Sequence, residues 1–382
     1  MSSLGAFLQR VLTPEILLAL LAAAGIAAGR LKIAGISLSA AGVLVCAVFC
    51  GMIISAFPQF TIGGHAVVLY SPAFEEKLSF LSAGATALFM AAIGLEAGRE
   101  LTGFDRKKLW AVLIGAAMVL GGGMVVLLYC LCRGSLTPSG SIGTFAGALT
   151  STPALSAAAD FETIVLAELV SGYGISYLFG VLSIVLFVQI CLRKNTAEQT
   201  PEKAPAEEKE GGMRELLVVV SLIAAGGVIG AVEIPGIRFS LGAAVGTLLA
   251  GILTGRILAG RGVSLSCAAL RTLKSLGLIL FLLAMGLKGG AAFIEKVNLG
   301  YLVLGALATL AALFTGWLLT AGIFKMKKTE GLSILCGGMT STPAIGVLSQ
   351  RANAELSLYT ASYTGALLAL VLFTRVLCYL FC

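Results

Sequence analysis

Residues 147–155 read Gly-Ala-Leu-Thr-Ser-Thr-Pro-Ala-Leu, and residues 337–345 read Gly-Gly-Met-Thr-Ser-Thr-Pro-Ala-Ile. The two stretches share Thr-Ser-Thr-Pro-Ala in one frame, 190 positions apart. Two further blocks repeat in the same order. Leu88-Phe89-x-x-Ala92-x-Gly94-Leu95-Glu96 returns as Leu280-Phe281-x-x-Ala284-x-Gly286-Leu287-Lys288, at an offset of 192. Gly29, Ile33 and Gly35-Ile36 return as Gly230, Ile234 and Gly236-Ile237, at an offset of 201. Three ordered matches at nearly constant spacing mark a duplicated half.

The duplicated material is membrane material. The 382 residues are 58% hydrophobic and 12% charged, against about 25% charged in a soluble domain. Apolar runs near 14–31, 37–57, 77–97, 109–132 and 163–192, then 214–233, 239–259, 272–288, 299–324 and 354–382, approach the roughly 20 residues that a spanning helix needs. The reading is an all-α polytopic membrane protein with ten spans, five in each of two inverted repeats. The first run carries small residues at Ala22, Ala24 and Ala27-Ala28, as a cleaved leader would, but it belongs to the repeat and is expected to remain as a span. Residues 195–212 (NTAEQTPEKAPAEEKEGG) hold no leucine, valine or aromatic residue and read as a charged linker. The expected organisation is a first repeat over 1–194, the linker over 195–212 and a second, inverted repeat over 213–382.

Charge supports the inversion. With the linker on the cytoplasmic side, 19 of the 26 lysines and arginines fall inside and 7 outside, and the bias holds in both halves only if the second is inverted. Both termini are then outside and the linker is cytoplasmic. The net charge of +7 is accounted for by short loops, so no nucleic-acid partner is implied. One histidine, His65, and nine scattered cysteines without a Cys-x-x-Cys pair give no metal site and no cofactor. The cysteines read as small buried hydrophobes.

Two apolar segments, 142–159 and 331–349, are short, rich in small residues and broken by proline. They read as discontinuous or re-entrant helices. Proline removes a ladder donor and disfavours helix in the residue before it. Each Thr-Ser-Thr-Pro therefore exposes backbone groups beside three hydroxyls, and starts a new helix whose positive end faces the break. Such paired breaks suit a small anion near the midplane. The candidate substrate-binding residues are Thr150, Ser151, Thr152 and Pro153 with Thr340, Ser341, Thr342 and Pro343. Tyr173 and Tyr363, again 190 apart, either line the cavity or belong to an interfacial belt. Arg351 either attracts the anion or is an ordinary inside-facing arginine. Glu96 and Lys288 are repeat equivalents at opposite faces and form no salt bridge with each other. Arg375 reads as snorkelling outward.

At the doubled Gly-x-x-Thr-Ser-Thr-Pro-Ala-[Leu/Ile] block, and at Gly172-Tyr173-x-x-x-Tyr177-x-x-Gly180, the chain resembles the aspartate:alanine exchanger family of bacterial membrane transporters. That resemblance implies a multi-pass protein of the bacterial inner membrane that exchanges acidic amino acids or dicarboxylates. It also implies that Thr150–Pro153 and Thr340–Pro343 face the transport path, and that the protein is a homodimer in membrane lipid. Many members of the family carry TrkA C-terminal-like domains between the halves, where this chain has the 18-residue linker. The alternative is a sodium-coupled carboxylate symporter, in which exposed carbonyls and hydroxyls ligate Na⁺. An intramembrane enzyme would need paired aspartates, a histidine site or a nucleophile–base pair, and only Asp105 and Asp160 exist.

Overall fold

The computed structural model describes residues 14–30, 32–33, 36–37, 40–57, 59–62, 65–68, 71–100, 105–132, 134–192, 213–234, 239–263, 265–290, 298–351 and 354–382. The linker over 195–212 lies outside the described residues. The first half runs α1 (Pro14–Gly29), hairpin β1–β2 (Lys32–Ile33, Ile36–Ser37), α2 (Ala40–Ala56) and hairpin β3–β4 (Gln59–Ile62, His65–Val68). It continues with α3 (Pro72–Glu100), α4 (Arg106–Leu131), α5 (Pro138–Ala148), α6 (Thr152–Ala159) and α7 (Leu166–Leu192). Among the described residues the second half repeats that order without a counterpart of β3–β4, as α8 (Met213–Ala231), hairpin β5–β6 (Glu233–Ile234, Phe239–Ser240), α9 (Gly242–Gly260) and α10 (Cys267–Gly290). Then follow α11 (Gly300–Trp317, extended by a π-turn over Leu318–Ile323), α12 (Lys328–Gly338), α13 (Thr342–Arg351) and α14 (Leu356–Phe381).

Among the described residues, eight helices are long and apolar enough to cross a bilayer, rather than ten. The two that fall short are α1 and α2, with 16 and 17 helical residues. At about 1.5 Å per residue they span about 24–26 Å of a hydrocarbon core about 30 Å thick. Their runs are cut by the Gly29-Arg30 and Phe57-Pro58 boundaries. Large apolar side chains lie on the outside of the bundle, Phe80 at 84% and Val228 at 72% exposure. In water such a surface would aggregate, whereas in lipid it is solvated.

The repeats pack through reciprocal contacts. α2 lies on α10, and its equivalent α9 lies on α3; α4 lies on α14, and α11 on α7; α6 meets α14, and α13 meets α7. α3 and α10 pack on each other, as do α4 and α11. Glu96 of α3 pairs with Lys274 near the start of α10, while Lys288 near its end donates to Ser79 Oγ near the start of α3 at 2.8 Å. The equivalent helices therefore run antiparallel. Likewise Trp110 at the start of α4 packs on Phe324 just past the end of α11, centroids 4.4 Å apart and rings tilted by 42°. A pseudo-twofold axis crosses both pairs perpendicular to the helices, which is the geometry of inverted repeats. α5, α6, α12 and α13 have 11, 8, 11 and 10 residues, and each broken pair meets near this axis.

Candidate functional site

α5 begins as the sequence dictates, with Pro138 in its first turn and Thr137 Oγ1 accepting from Gly140 N at 3.2 Å. It ends at Ala148. Thr150 N donates to Gly147 O at 2.8 Å, and Ser151 N to Ala146 O at 2.8 Å, the bond pattern that closes a helix through a left-handed residue. That residue is Thr150, at φ 56°. The second repeat copies it: Thr340 N donates to Gly337 O at 2.8 Å, Ser341 N to Cys336 O at 3.0 Å, and Thr340 stands at φ 48°.

A β-branched residue in this region is strained, where glycine would be free. Both repeats nevertheless use threonine, and the hydroxyls show why. Thr150 Oγ1 donates to Met339 O at 2.6 Å, and Thr340 Oγ1 donates to Leu149 O at 2.8 Å. Each threonine thus satisfies the last carbonyl of the other repeat's helix, which no ladder bond reaches. The two breaks form one reciprocal joint. In the first repeat Thr309 Oγ1 of α11 also satisfies Ala148 O at 2.9 Å.

The serines face the other way. Ser151 Oγ accepts from Ala154 N at 3.3 Å, and Ser341 Oγ accepts from Ala344 N at 3.4 Å. Both are sealed, at 0% and 1% exposure, and act as N-caps of α6 and α13. Gly147 and Gly337 serve close helix packing, their missing side chains making room for the Tyr173 and Tyr359 carbonyls.

A cavity of about 680 Å³ opens beside the joint. Its floor is Thr150, Thr152, Pro153, Thr340 and Pro343; Tyr177, Tyr359 and Tyr363 wall it; Glu96, Arg99, Arg271 and Lys274 surround its mouth. Lys274 pairs with Glu96, and Arg99 Nη1 donates to Cys267 Sγ at 3.4 Å. Three cations face one carboxylate, so the entrance has a positive field. Of the residues singled out in the sequence, Thr150, Thr152, Pro153, Thr340, Pro343 and Tyr363 line this space. Ser151, Ser341 and Tyr173 do not; Tyr173 is 3% exposed, with its hydroxyl 3.5 Å from Thr152 Oγ1. The side chains of Thr342 and Arg351 lie outside the described residues.

The tyrosines correct the alignment of the repeats. Gly147 packs on Tyr173 and Ser176, whereas its equivalent Gly337 packs on Tyr359 and Ser362. Ser176 Oγ donates to Thr144 O at 3.0 Å, and Ser362 Oγ to Ile334 O at 2.8 Å. The matching motifs are therefore Tyr173-x-x-Ser176-Tyr177 and Tyr359-x-x-Ser362-Tyr363, at an offset of 186 rather than 190. The structural partner of Tyr363 is Tyr177, and both line the cavity. Sequence reasoning also passed over Arg99, Arg271 and Lys274 as site residues, because no local motif marks them. Arg375 does not snorkel: it is 2% exposed, donates from Nη1 to Ala157 O at 3.3 Å, and lies 4.8 Å over the Phe161 ring. The cysteines meet the buried expectation only in part: Cys336 and Cys378 are buried, Cys46, Cys50, Cys130, Cys191 and Cys382 are half-buried, and Cys132 and Cys267 are exposed.

The family described as a predicted permease membrane region matches residues 17–193 and 218–379. An uncharacterized transporter of Bacteroides fragilis is 29% identical over 210 residues, covering 53% of this chain and 34% of the relative. A protein of Klebsiella pneumoniae, named only for transport, is 33% identical over 145 residues, covering 36% and 26%. An uncharacterized transporter of Bacteroides thetaiotaomicron is 32% identical over 178 residues, covering 45% and 28%. The matches span about a quarter to a third of these relatives' lengths.

Proposed function

The chain belongs to the aspartate:alanine exchanger family of membrane transporters, and from that premise we propose that it exchanges small carboxylates, acidic amino acids or dicarboxylates, across the bacterial inner membrane. The observation that carries this reading is the cavity itself. Its floor is built from both repeats' threonine–proline tips, and its mouth holds Arg99, Arg271 and Lys274 against one glutamate. The N-termini of α6 and α13 begin at Thr152 and Thr342, and helix ends of this polarity favour a carboxylate. In this reading the broken pairs are re-entrant, both termini and the Lys288 end face outside, the linker over 195–212 is cytoplasmic, and the working unit is a homodimer.

Sodium-coupled symport has less support. The carbonyls at the breaks that would ligate Na⁺ already accept hydrogen bonds: Leu149 O from Thr340, Met339 O from Thr150, and Ala148 O from Thr309. Counter-exchange needs no ion, because the returning substrate resets the carrier. Transport, not catalysis, is the proposed activity. Uptake of labelled L-aspartate or succinate by proteoliposomes tests both points. Preloading with the same compound should accelerate uptake, and removing Na⁺ should leave it unchanged. Uptake into empty liposomes that requires a Na⁺ gradient would reverse the ranking.

A further inference from the structure

The corner where α4 begins and α11 runs into α12 gathers more positive charge than the fold uses. Arg106, Lys107 and Lys108 open α4, while Lys325, Lys327 and Lys328 follow Phe324. Lys107 Nζ pairs with Glu330 Oε1 at 2.8 Å and Trp110 packs on Phe324, which brings the two stretches together. Two of the carboxylates here are engaged. Asp105 Oδ1 accepts from Lys108 N at 2.7 Å as the N-cap of α4, and Glu330 Oε2 accepts from Lys327 N at 3.3 Å. With Glu355, which also faces Lys107, the corner sets six cations against three carboxylates. Of the six, among the described residues, only Lys107 has a carboxylate at salt-bridge distance. Arg106, Lys325, Lys327 and Lys328 are exposed. The corner related by the pseudo-twofold axis, residues 131–137 and 295–300, carries only Arg133 and Lys296 as cations. Orientation in a bilayer needs lysines and arginines on one face; it does not need six of them at one corner. Deeper along α11, Phe314 is 60% and Trp317 48% exposed. Trp110 and Trp317 are the only two tryptophans of the chain, and tryptophan favours the bilayer interface. Between the two, the π-turn ends through Lys325 at φ 47°, with Phe324 N bonded to Leu319 O and Met326 N to Thr320 O, both at 2.9 Å. Glycine would make that turn without strain; lysine keeps a cation there.

We propose that this corner binds the headgroup of an anionic phospholipid, with its acyl chains lying along α11 over Trp317 and Phe314. The phosphodiester meets exposed cations from two connections at the depth where headgroups lie, and the chains meet exposed apolar rings beneath. Basic recesses between helices at one membrane face hold such headgroups. A zwitterionic headgroup brings its own cation and gains less from a corner with twice as many cations as carboxylates. A soluble phosphate would use the cations and leave the apolar face unused. The site also reaches the joint. α12 runs from Lys328 to Gly338, two residues before Thr340, so a headgroup held by Lys327 and Lys328 braces the helix that carries one half of it. The lipid site stands whatever solute the cavity carries.

The tryptophans supply the test. Trp110→Phe leaves Trp317 as the single indole, seven residues before Phe324 and so about 10 Å deeper at about 1.5 Å per residue. Wild-type protein, with both indoles, gives the same comparison should that variant fail to fold. The protein is reconstituted in phosphatidylcholine bilayers containing phosphatidylglycerol, with bromine on the acyl chains of one lipid or of the other. Brominated phosphatidylglycerol should quench the indole more strongly, as an affinity about 3–10-fold above that of phosphatidylcholine at low ionic strength, and the gap should narrow as salt rises. Lys325→Gln/Lys327→Gln/Lys328→Gln should bring the two lipids to parity. Arg106→Gln/Lys108→Gln should lower the ratio in the same direction, and serves if the triple variant does not fold. Arg214→Gln/Arg261→Gln removes exposed cations at α8 and just past α9 and should leave the ratio unchanged. An equal fall in that control would reduce the preference to the general charge of the face and overturn the site. Equal quenching by the two lipids in the unsubstituted corner would overturn it outright. Loss of the preference on adding inorganic phosphate at constant ionic strength would make the corner a soluble-anion site and overturn the lipid assignment.

Discussion

The first repeat and the second match at the threonine joint and diverge around it, even at other contacts between the two repeats. At the joint, Thr150 and Thr340 share one left-handed conformation, one bond pattern and one reciprocal role. Around it the copies diverge. α11 runs out through a π-turn over Leu318–Ile323, whereas α4 is 26 residues of regular helix. Among the described residues Thr309 satisfies Ala148 O without a counterpart in the other copy, and Arg375 and Asp160 tie α6 to α14 and α9 at the Lys288 end. The lesson is a division of labour. Symmetric parts must work in both orientations of a carrier, while asymmetric parts bias which orientation is stable.

The joint offers the largest effect. Thr150→Val and Thr340→Val keep the branched shape and remove the hydroxyl, so each strands a buried carbonyl at about 1–3 kcal/mol. The strain of the left-handed threonine remains without its compensation. Each single variant should lower the Tm of purified protein by several degrees and reduce exchange at least tenfold. The double variant should cost less than the two losses added, because the bonds close one joint. Additive losses would mean that the bonds are independent caps. Thr→Gly at either site should recover part of the stability by relieving strain, without recovering transport.

The tie at the Lys288 end comes next. Arg375→Gln removes a cation stacked on Phe161 and a bond to Ala157 O, about 1–2 kcal/mol of support for this end, where Met285 is sealed at 1% exposure. Maleimide should then label Met285→Cys, in an otherwise cysteine-free chain, faster from that face, by about 5–30-fold if the whole support is specific to this state. Unchanged labelling would make Arg375 a packing residue with no say in which end is open. A milder effect is expected at the cavity mouth. Arg271→Gln removes an exposed cation from an aqueous entrance, so the apparent KM for succinate should rise about 2–5-fold, with kcat nearly constant and the salt dependence flattened.

How much of this was legible follows from the kind of information each feature uses. The duplication, the breaks and the inversion come from local patterns and charge counts, and the structure carries all three. The alignment of the tyrosines was hidden by the path from the break to the tyrosine, 18 positions from Ser341 to Tyr359 against 22 from Ser151 to Tyr173; the offset slips from 190 to 186 and creates a false match between Tyr173 and Tyr363. The burial of Arg375 was invisible because its partner is a main-chain carbonyl, Ala157 O, which no side-chain pattern announces. The cations at the mouth come from two helices, α3 and α10, far apart in sequence.

The smallest effect is the most instructive about the joint, because it separates neighbours in sequence. Thr-Ser-Thr-Pro presents three consecutive hydroxyls, and composition alone treats them as one site. The left-handed turn at Thr150 and Thr340 splits them: Thr150 and Thr152 line the cavity, while Ser151 turns inward to cap α6, and Ser341 does the same for α13. Losing an N-cap hydroxyl costs about 1 kcal/mol. Ser151→Ala and Ser341→Ala should therefore lower the Tm by a few degrees and leave the apparent affinity for succinate within about twofold, since a shift of 1 kcal/mol in folding does not act on a ligand that never meets the serine. Thr152→Ala should show the reverse, an affinity loss with little change in Tm. A serine variant that loses affinity while keeping its Tm would place the serine hydroxyls in the transport path and the caps in a secondary role.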